Sequence, residues 1–368
     1  MKRLAVIPSD ALDDYLKQGM SPQWLEEYYN PGNFFDEVYV LSELEKDREY
    51  FLGMKTVHTQ AGDFSARVRD LKIDVVRAYG GNWACSMACD NKVENVPVIV
   101  SVHDKDPARL YDSIKNADVV WSVSRVVQQL VATKFKNKDR QWLLPNRVNM
   151  DVMHPRNPQE LIALNALYPF KYKILFVGRL SKEKNLDTLI KAIGILGPNY
   201  GAVIIGSGDS MPYMELAHGH RVQQRVFFVE SVAHEELSLY YSWADCMCTP
   251  SRAEGFGMVF IEAMACGGVV ATSNIPPMNE YIVDGQNGLL IDDYQDAPSV
   301  AMGIRRACET DSLRALVKSK ARGSVMSFEK KHIEKMESDY YQRVLSMRDK
   351  GEFKPSFWQQ WLTRNKKK

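Results

Sequence analysis

Between Thr249 and Gly267 the chain reads TPSRAEGFGMVFIEAMACG, where two carboxylates, Glu254 and Glu262, bracket the turn Gly255-Phe256-Gly257 at the start of an apolar helical run. A carboxylate inside such a run costs desolvation energy unless a polar partner or a ligand meets it. The turn exposes backbone N–H groups at a helix N-terminus, where negative ligand groups are favoured. A second cluster, Gly178-Arg179-Leu180-Ser181-Lys182-Glu183-Lys184-Asn185, follows a strand pattern and opens a helical one. Arg179 and Lys184 there offer fixed cations beside helix N-terminal amides, a setting suited to a diphosphate. Taken alone, this cluster also reads as a solvated charged turn; beside the acidic stretch, the diphosphate reading is favoured.

Other candidates carry less. Gly206-Ser207-Gly208 follows a strand, but Met211 stands where a dinucleotide fingerprint needs its third glycine. A nicotinamide site is therefore set aside, and the two glycines read as a close-approach turn beside the cleft. His103 ends an apolar strand, which places an imidazole where ligands of open α/β sheets bind, although a lone histidine is commonly structural. Asp104-Lys105-Asp106 has the Asp-x-Asp spacing of some divalent-cation sites. Arg179 and Lys184 already supply the positive charge a metal would bring, so no metal and no cofactor is expected. The close pairs Cys85/Cys89 and Cys246/Cys248 lack any zinc spacing, and all six cysteines read as reduced structural thiols.

These residues need elements to hold them. At 368 residues the chain is long enough for two domains and a cleft. Forty-seven basic against forty-six acidic residues give a net charge of +1, which excludes a global field that would recruit nucleic acid. The N-terminus has too short an apolar run for a signal peptide, and no segment approaches the ~18 apolar residues of a membrane span. A cytoplasmic protein is expected. Phe357, Trp358, Trp361 and Leu362, followed by Arg364-Asn365-Lys366-Lys367-Lys368, form an amphipathic basic end. It reads as a helix docked on the body or, alternatively, as a peripheral contact at the inner face of a membrane.

Apolar runs alternate with helical patterns, as in a parallel sheet with crossover helices. Strands are expected at Leu4–Pro8, Glu37–Leu41, Asp74–Tyr79, Val96–Val102, Val119–Val123 and Trp142–Leu144. A second series runs through Lys173–Val177, Ala202–Ile205, Val226–Val229, Cys246–Cys248, Val269–Ala271 and Gly288–Ile291. Helices are expected over Asp63–Leu71, with Asp63 as cap, and over Leu186–Leu196 behind Asn185. The proline-rich stretch between the series places a linker at 156–171. The expected domains are thus 1–155, 172–327, and a helix with basic tail at 328–368 that docks back on the first.

Glu254-Gly255-Phe256-Gly257 with Glu262, Pro250-Ser251, Gly178-Arg179 with Lys184, Ala263-Met264-Ala265-Cys266-Gly267 and Asp284-Gly285-Gln286-Asn287-Gly288-Leu289-Leu290 together resemble the retaining glycosyltransferases of family four. The resemblance is dense from about Asn146 to Ile291 and looser before it. It implies the GT-B fold: two Rossmann-like, doubly wound α/β domains facing across a cleft. It also implies a hexosyltransferase that moves a sugar from a nucleotide-sugar, with UDP or GDP as the carrier, to a glycan, lipid-linked or small-molecule acceptor. By the same resemblance Glu262 binds ribose, Arg179 and Lys184 hold the diphosphate, Glu254 contacts the donor sugar, and Gly178, Gly206, Gly208, Gly255, Phe256 and Gly257 line the donor site. His103 matches the family's cleft histidine, so the catalytic set implied is His103, Glu254, Arg179 and Lys184. Arg147 stands where the family's Asn-Gly-Val-Asp segment has glycine. The family's glycine pair after the first strand is replaced by Pro8-Ser9-Asp10-Ala11-Leu12. That departure keeps open a nucleotide-sugar-binding protein without transfer activity; a phosphorylase of the same fold is the third reading.

Overall fold

The computed structural model describes residues 1–17 and 20–353, so the aromatic and basic end discussed above lies outside the described residues. The chain divides into two compact units, Met1–Leu144 with the residues from Glu334 onward, and Pro145–Ile333. Each is an α/β layer structure built on its own sheet.

The first unit contains β1 (Arg3–Ile7), β2 (Glu37–Ser42), β3 (Arg48–Phe51), β4 (Met54–His58), β5 (Val75–Tyr79), β6 (Val98–Val102), β7 (Val119–Ser122) and β8 (Gln141–Leu143). Their order across the sheet is β3-β4-β2-β1-β5-β6-β7-β8, parallel throughout except for β3 against β4. Helices cover both faces of a parallel sheet, so its central strands are continuous apolar runs: Leu4, Ala5, Val6 and Ile7 are wholly buried. The β3–β4 hairpin escapes the sequence reading because Arg48-Glu49-Tyr50-Phe51 is a polar, half-exposed edge strand with no such run. It turns through Leu52 and Gly53, both at positive φ, as a two-residue hairpin turn requires. The helix after β4 spans Ala61–Asp70 with Gln60 at its N-cap position, whose side chain makes no capping bond; Asp63 sits in its first turn, where its charge favours the dipole without capping.

The second unit contains β9 (Tyr172–Val177), β10 (Tyr200–Ile205), β11 (Val226–Val229), β12 (Cys246–Thr249), β13 (Val270–Ser273) and β14 (Leu289–Ile291), ordered β11-β10-β9-β12-β13-β14 and all parallel. One core face gathers Ile174 and Phe176 of β9, Ile204 of β10, Leu189 and Ile193 of the helix Leu186–Ile195, and the thiols of Cys246 and Cys248. All six cysteines are free and buried, and burial pushes the Cys248 thiol well up.

The unit begins at Pro145 rather than after a linker at 156–171. Val148 donates to the Phe328 carbonyl at 2.8 Å and accepts from Lys330 N–H at 2.9 Å, which ties the 145–155 segment into this unit. Where the linker was expected, Pro158–Leu161 and Ile162–Leu167 form helical turns opened by an Asn157–Glu160 capping box. Arg156 anchors this segment through two hydrogen bonds to Ser238 Oγ, at 2.9 and 2.7 Å.

From Glu334 on, the helix Lys330–Asp349 belongs to the first unit. Its Glu337 carboxylate pairs with Arg77 of β5; both are almost wholly buried. Arg77 also donates to Tyr341 Oη at 2.9 Å and to Ser101 Oγ at 2.8 Å, and it stacks between Tyr79 and Trp121. Removing one partner of a buried pair strands the other charge, which costs about 3–5 kcal/mol. Glu337→Ala should therefore destabilise the first unit by about that amount in denaturant titration; a change below about 1 kcal/mol would show that the pair does not hold the helix.

Candidate functional site

In an open α/β sheet, ligands bind beyond the strands' carboxyl ends, where the strand order reverses. In the second unit that point lies between β9 and β12, because β10 and β11 extend one way from β9 and β12 to β14 the other. β9 runs into Gly178-Arg179, and β12 runs into Pro250-Ser251, so both chemistry-bearing stretches leave the sheet at the reversal. The structure joins them through one ion pair: Lys184 Nζ donates to Glu254 Oε1 at 2.6 Å across seventy positions of sequence. Ser251 Oγ donates to the same oxygen at 2.8 Å. Glu254 is 8% exposed, and the two donors supply the hydrogen bonds that a buried carboxylate loses from water.

The loop that carries Glu254 is fastened on several sides. Asn185 stands at the N-cap position of its helix, at φ 58°, yet its side chain does not cap. Its amide donates instead to the Pro250 and Tyr294 carbonyls, each at 2.8 Å, and its oxygen accepts from Thr188. Arg252 donates to the Lys182 carbonyl and to Asp187 Oδ2, the latter at 3.0 Å, while its N–H donates to the Glu183 carbonyl at 2.7 Å. From β13 and its end, Thr272 and Ser273 hydroxyls donate to the Thr249 and Ser251 carbonyls at 2.9 and 2.7 Å. Asn185, Ser251 and Arg252 are thus positioning residues. Ser251 and Asn185 were visible in sequence as neighbours of the motifs, but no local pattern gives their partners.

Glu262 lies in the helix Met258–Ala265, whose residues from Phe260 to Ala265 are all buried. The partner it requires is double: His234 Nε2 donates to Oε1 at 2.9 Å, and Tyr241 Oη donates to Oε2 at 3.0 Å. Sequence reasoning missed both. His234 lies in the loop beyond the carboxyl end of β11, and the strand-end rule that singled out His103 would also have flagged it. Burial lowers the His234 pKa, but its hydrogen bond to Glu262 and the charges of Glu262 and Glu235 outweigh this, and the net shift is upward from 6.5. Burial, with Glu262 beside it, pushes the Tyr241 phenol well up, which keeps it a donor.

Gly257 begins that helix at φ 86°; a Cβ there would lie 2.6 Å from the Phe260 ring, so both conformation and space require glycine. Phe256 is packed edge-on against Phe328 and alongside Tyr281, whose hydroxyl donates to the Phe256 carbonyl at 3.0 Å. The turn is thereby rigid, and its Phe256 carbonyl is already engaged. The turns after β9 and β10 pack backbone on backbone: a Cβ on Gly206 would meet the Gly178 carbonyl oxygen at 1.9 Å, and Leu180 N–H donates to the Ser207 carbonyl at 2.8 Å. Gly206 and Gly208 therefore let the second turn press on the Gly178–Leu180 loop. Arg179 is exposed, with no side-chain partner among the described residues.

Asp284-Gly285-Gln286-Asn287-Gly288 is a structural turn: Asp284 takes both terminal nitrogens of Arg306, at 3.0 and 2.9 Å, and the Asn287 amide closes the loop. His103 belongs to the first unit, just beyond β6. Asp104 and Asp106 are spent on local bonds, Asp104 Oδ1 accepting from Asp106 N–H and Asp106 Oδ1 from Ala108 N–H, each at 2.9 Å.

Residues 159–324 match the family Glycosyl transferases group 1. The chain is 27% identical over 232 residues to an uncharacterized glycosyltransferase of Methanocaldococcus jannaschii, a match that covers 59% of this chain and 61% of that protein. It is 29% identical over 221 residues to the D-inositol 3-phosphate glycosyltransferase of Xylanimonas cellulosilytica, covering 57% of this chain and 53% of that one. The chain thus spans between half and two thirds of these relatives' lengths. The solved structure of Anabaena HepE in complex with UDP superposes with a TM-score of 0.78 at 18% identity, over 93% of this chain and 100% of that one, a likeness of fold. Residues 159–324 are thus similar to the Glycosyl transferases group 1 family, and the chain has the two-domain α/β fold of GT-B structures.

Proposed function

We propose that the chain transfers a hexosyl group from a nucleoside-diphosphate sugar, with UDP or GDP as the carrier, to a hydroxyl of a glycan, lipid-linked or small-molecule acceptor. Transfer retains the anomeric configuration and needs no metal. The observation that carries this reading is the Lys184–Glu254 pair at the strand-order reversal of the family-matched unit. Glu262 accepts the ribose hydroxyls: a carboxylate offers about four lone-pair sites, and His234 and Tyr241 occupy only one on each oxygen. Arg179 and Lys184 hold the diphosphate, since an ammonium that gives one N–H to Glu254 keeps others for phosphate oxygens. Glu254 receives the sugar's hydroxyls, and the Gly255–Gly257 turn walls the same site. His103 keeps a catalytic assignment from its place at the carboxyl end of β6.

In this reaction the C1–O bond to the diphosphate breaks with its electron pair left on the diphosphate oxygen. The acceptor oxygen forms the new C1–O bond from the same face, and its proton passes to that diphosphate oxygen. Arg179 and Lys184 stabilise the charge that develops there, and a preorganised donor of this kind contributes about 3–4 kcal/mol. The HepE structure, which holds UDP in the same fold, supports a nucleotide ligand. The absence of a glycine pair after β1 favours the second reading, a nucleotide-sugar-binding protein without transfer.

Calorimetric titration with UDP and GDP, and with their sugars, tests the donor assignment. Glu262→Ala should weaken nucleotide binding by about tenfold or more. Glu254→Gln should leave binding within a few-fold and lower turnover by roughly a hundredfold. Full activity in both variants would overturn the assignment, and donor hydrolysis by the native chain would exclude binding without transfer.

The His234–Glu262 bond also makes stability depend on pH. A raised folded-state pKa contributes stability that is complete below about pH 6.5 and is lost as pH rises through the raised value. As pH rises above about 6.5, the native chain should lose unfolding free energy relative to His234→Gln; parallel profiles would show that the imidazolium form is not held.

A further inference from the structure

His234 and Tyr241 reach Glu262 from one continuous stretch. The loop beyond β11 enters a 3-10 turn, His234–Glu236, which runs on into the helix Leu237–Trp243. The two residues stand about two helical turns apart, so both face the helix Met258–Ala265 and its buried carboxylate. They differ in one respect. Burial holds the Tyr241 phenol neutral, which makes it a fixed donor. The His234 side chain is 38% exposed, and its Nδ1 has no hydrogen-bond partner among the described residues, so a proton from solvent reaches and leaves it freely. Nε2 donates to Glu262 in either state, because an ionised carboxylate only accepts.

Ionisation of His234 therefore changes the charge of this corner and keeps its bond. With a neutral imidazole the corner carries the Glu262 charge; with an imidazolium the pair is neutral. Glu235 beside His234 favours the imidazolium, as Glu262 does. The other titratable groups around the corner are committed elsewhere. Glu236, next on the turn, is exposed to water. Burial, with Glu262 beside it, pushes the Cys266 thiol up to about 12. Arg322 is spent on the Met150, Met153 and Ala265 carbonyls, and Arg156 on Ser238 Oγ and Glu160.

The ligand assigned to Glu262 gives this charge a consequence. The ribose of a sugar nucleotide is esterified to a diphosphate that carries two negative charges. Like charges close together in a partly buried site repel by more than thermal energy, so an unneutralised Glu262 opposes the diphosphate even while it accepts the ribose hydroxyls. An imidazolium removes that repulsion without giving up the bond that orients the carboxylate.

We propose that His234 is a positioning residue for the donor: it fixes one oxygen of Glu262 for the ribose and, as imidazolium, cancels that carboxylate's charge, so that donor binding is coupled to proton uptake. The proposal rests on the assignment of Glu262 to ribose. By linkage, the donor favours the protonated ring by the same factor as the proton favours the donor. Affinity is then highest below the His234 pKa of the free chain and falls as pH rises through it and through the higher pKa of the complex.

Calorimetric titration of the full chain with UDP-glucose and with GDP-mannose, across pH, tests this; both lack the terminal phosphate that itself titrates near pH 6. For at least one of them the dissociation constant should grow as pH rises above about 6.5, to a plateau about tenfold higher, which corresponds to about one unit between the pKa values of free and bound chain. His234→Gln, which keeps an N–H donor and carries no charge, should bind at every pH with the constant of the native plateau. His234→Ala, which keeps no donor, should bind roughly fivefold more weakly still. In paired buffers of different ionisation enthalpy, the native chain should take up protons on binding and His234→Gln none. Equal pH slopes in the native chain and His234→Gln, tighter native binding at high pH, or equal constants for the glutamine and alanine variants would overturn the proposal and leave the donor reading standing. Binding of neither sugar nucleotide by the native chain at any pH would overturn both.

Discussion

Two carboxylates buried beyond the end of β12 set the terms for the second unit. Glu254 and Glu262 are 8% and 5% exposed, and a buried carboxylate without partners would neutralise or destabilise the fold. Each is met by two donors, Lys184 and Ser251 for the first, His234 and Tyr241 for the second. Those donors come from the loops and helices after β9, β11 and β12, so satisfying two acids fixes how the sheet's exit loops are arranged. The same bonds leave each acid with lone pairs unspent, which is what a hydroxyl-rich ligand needs.

The loops that carry these groups are held from behind by groups that do no chemistry. Asn185 and Arg252 bind backbone carbonyls of neighbouring loops, and Gly206 allows two turns to meet without side chains between them. Loops fastened in this way have little reorganisation left to do when a charged ligand arrives.

The first unit applies the same topological rule with different materials. Its strand order also reverses at the first strand, but there tyrosines, a tryptophan and a histidine gather beside the exposed Asp104–Arg109 ion pair. Arg77 stacks on Tyr79 and pairs with Glu337, so the helix that closes the unit is fastened to β5. One face of the Tyr79 ring thus belongs to the core.

Sequence alone determined the fold class and, among the described residues, twelve of the fourteen strands, because buried parallel strands are unbroken apolar runs. It missed the β3–β4 hairpin, whose polar edge strand carries no such run, and it set the domain boundary past Pro145, because prolines mark a turn without saying which unit it pairs with. Only the tertiary structure decided that Lys184 meets Glu254, that His234 and Tyr241 hold Glu262, that Asn185 ties loops instead of capping, and that aromatic side chains from Tyr15 to His103 gather at one place in the first unit. The physical reason is the range of the forces that write each pattern. Apolar periodicity is set by each residue's own exposure along a helix or strand and is legible within a few turns. Strand order and side-chain pairing are set by which crossovers pack together, and contacts such as Lys184–Glu254, seventy residues apart, leave no local mark.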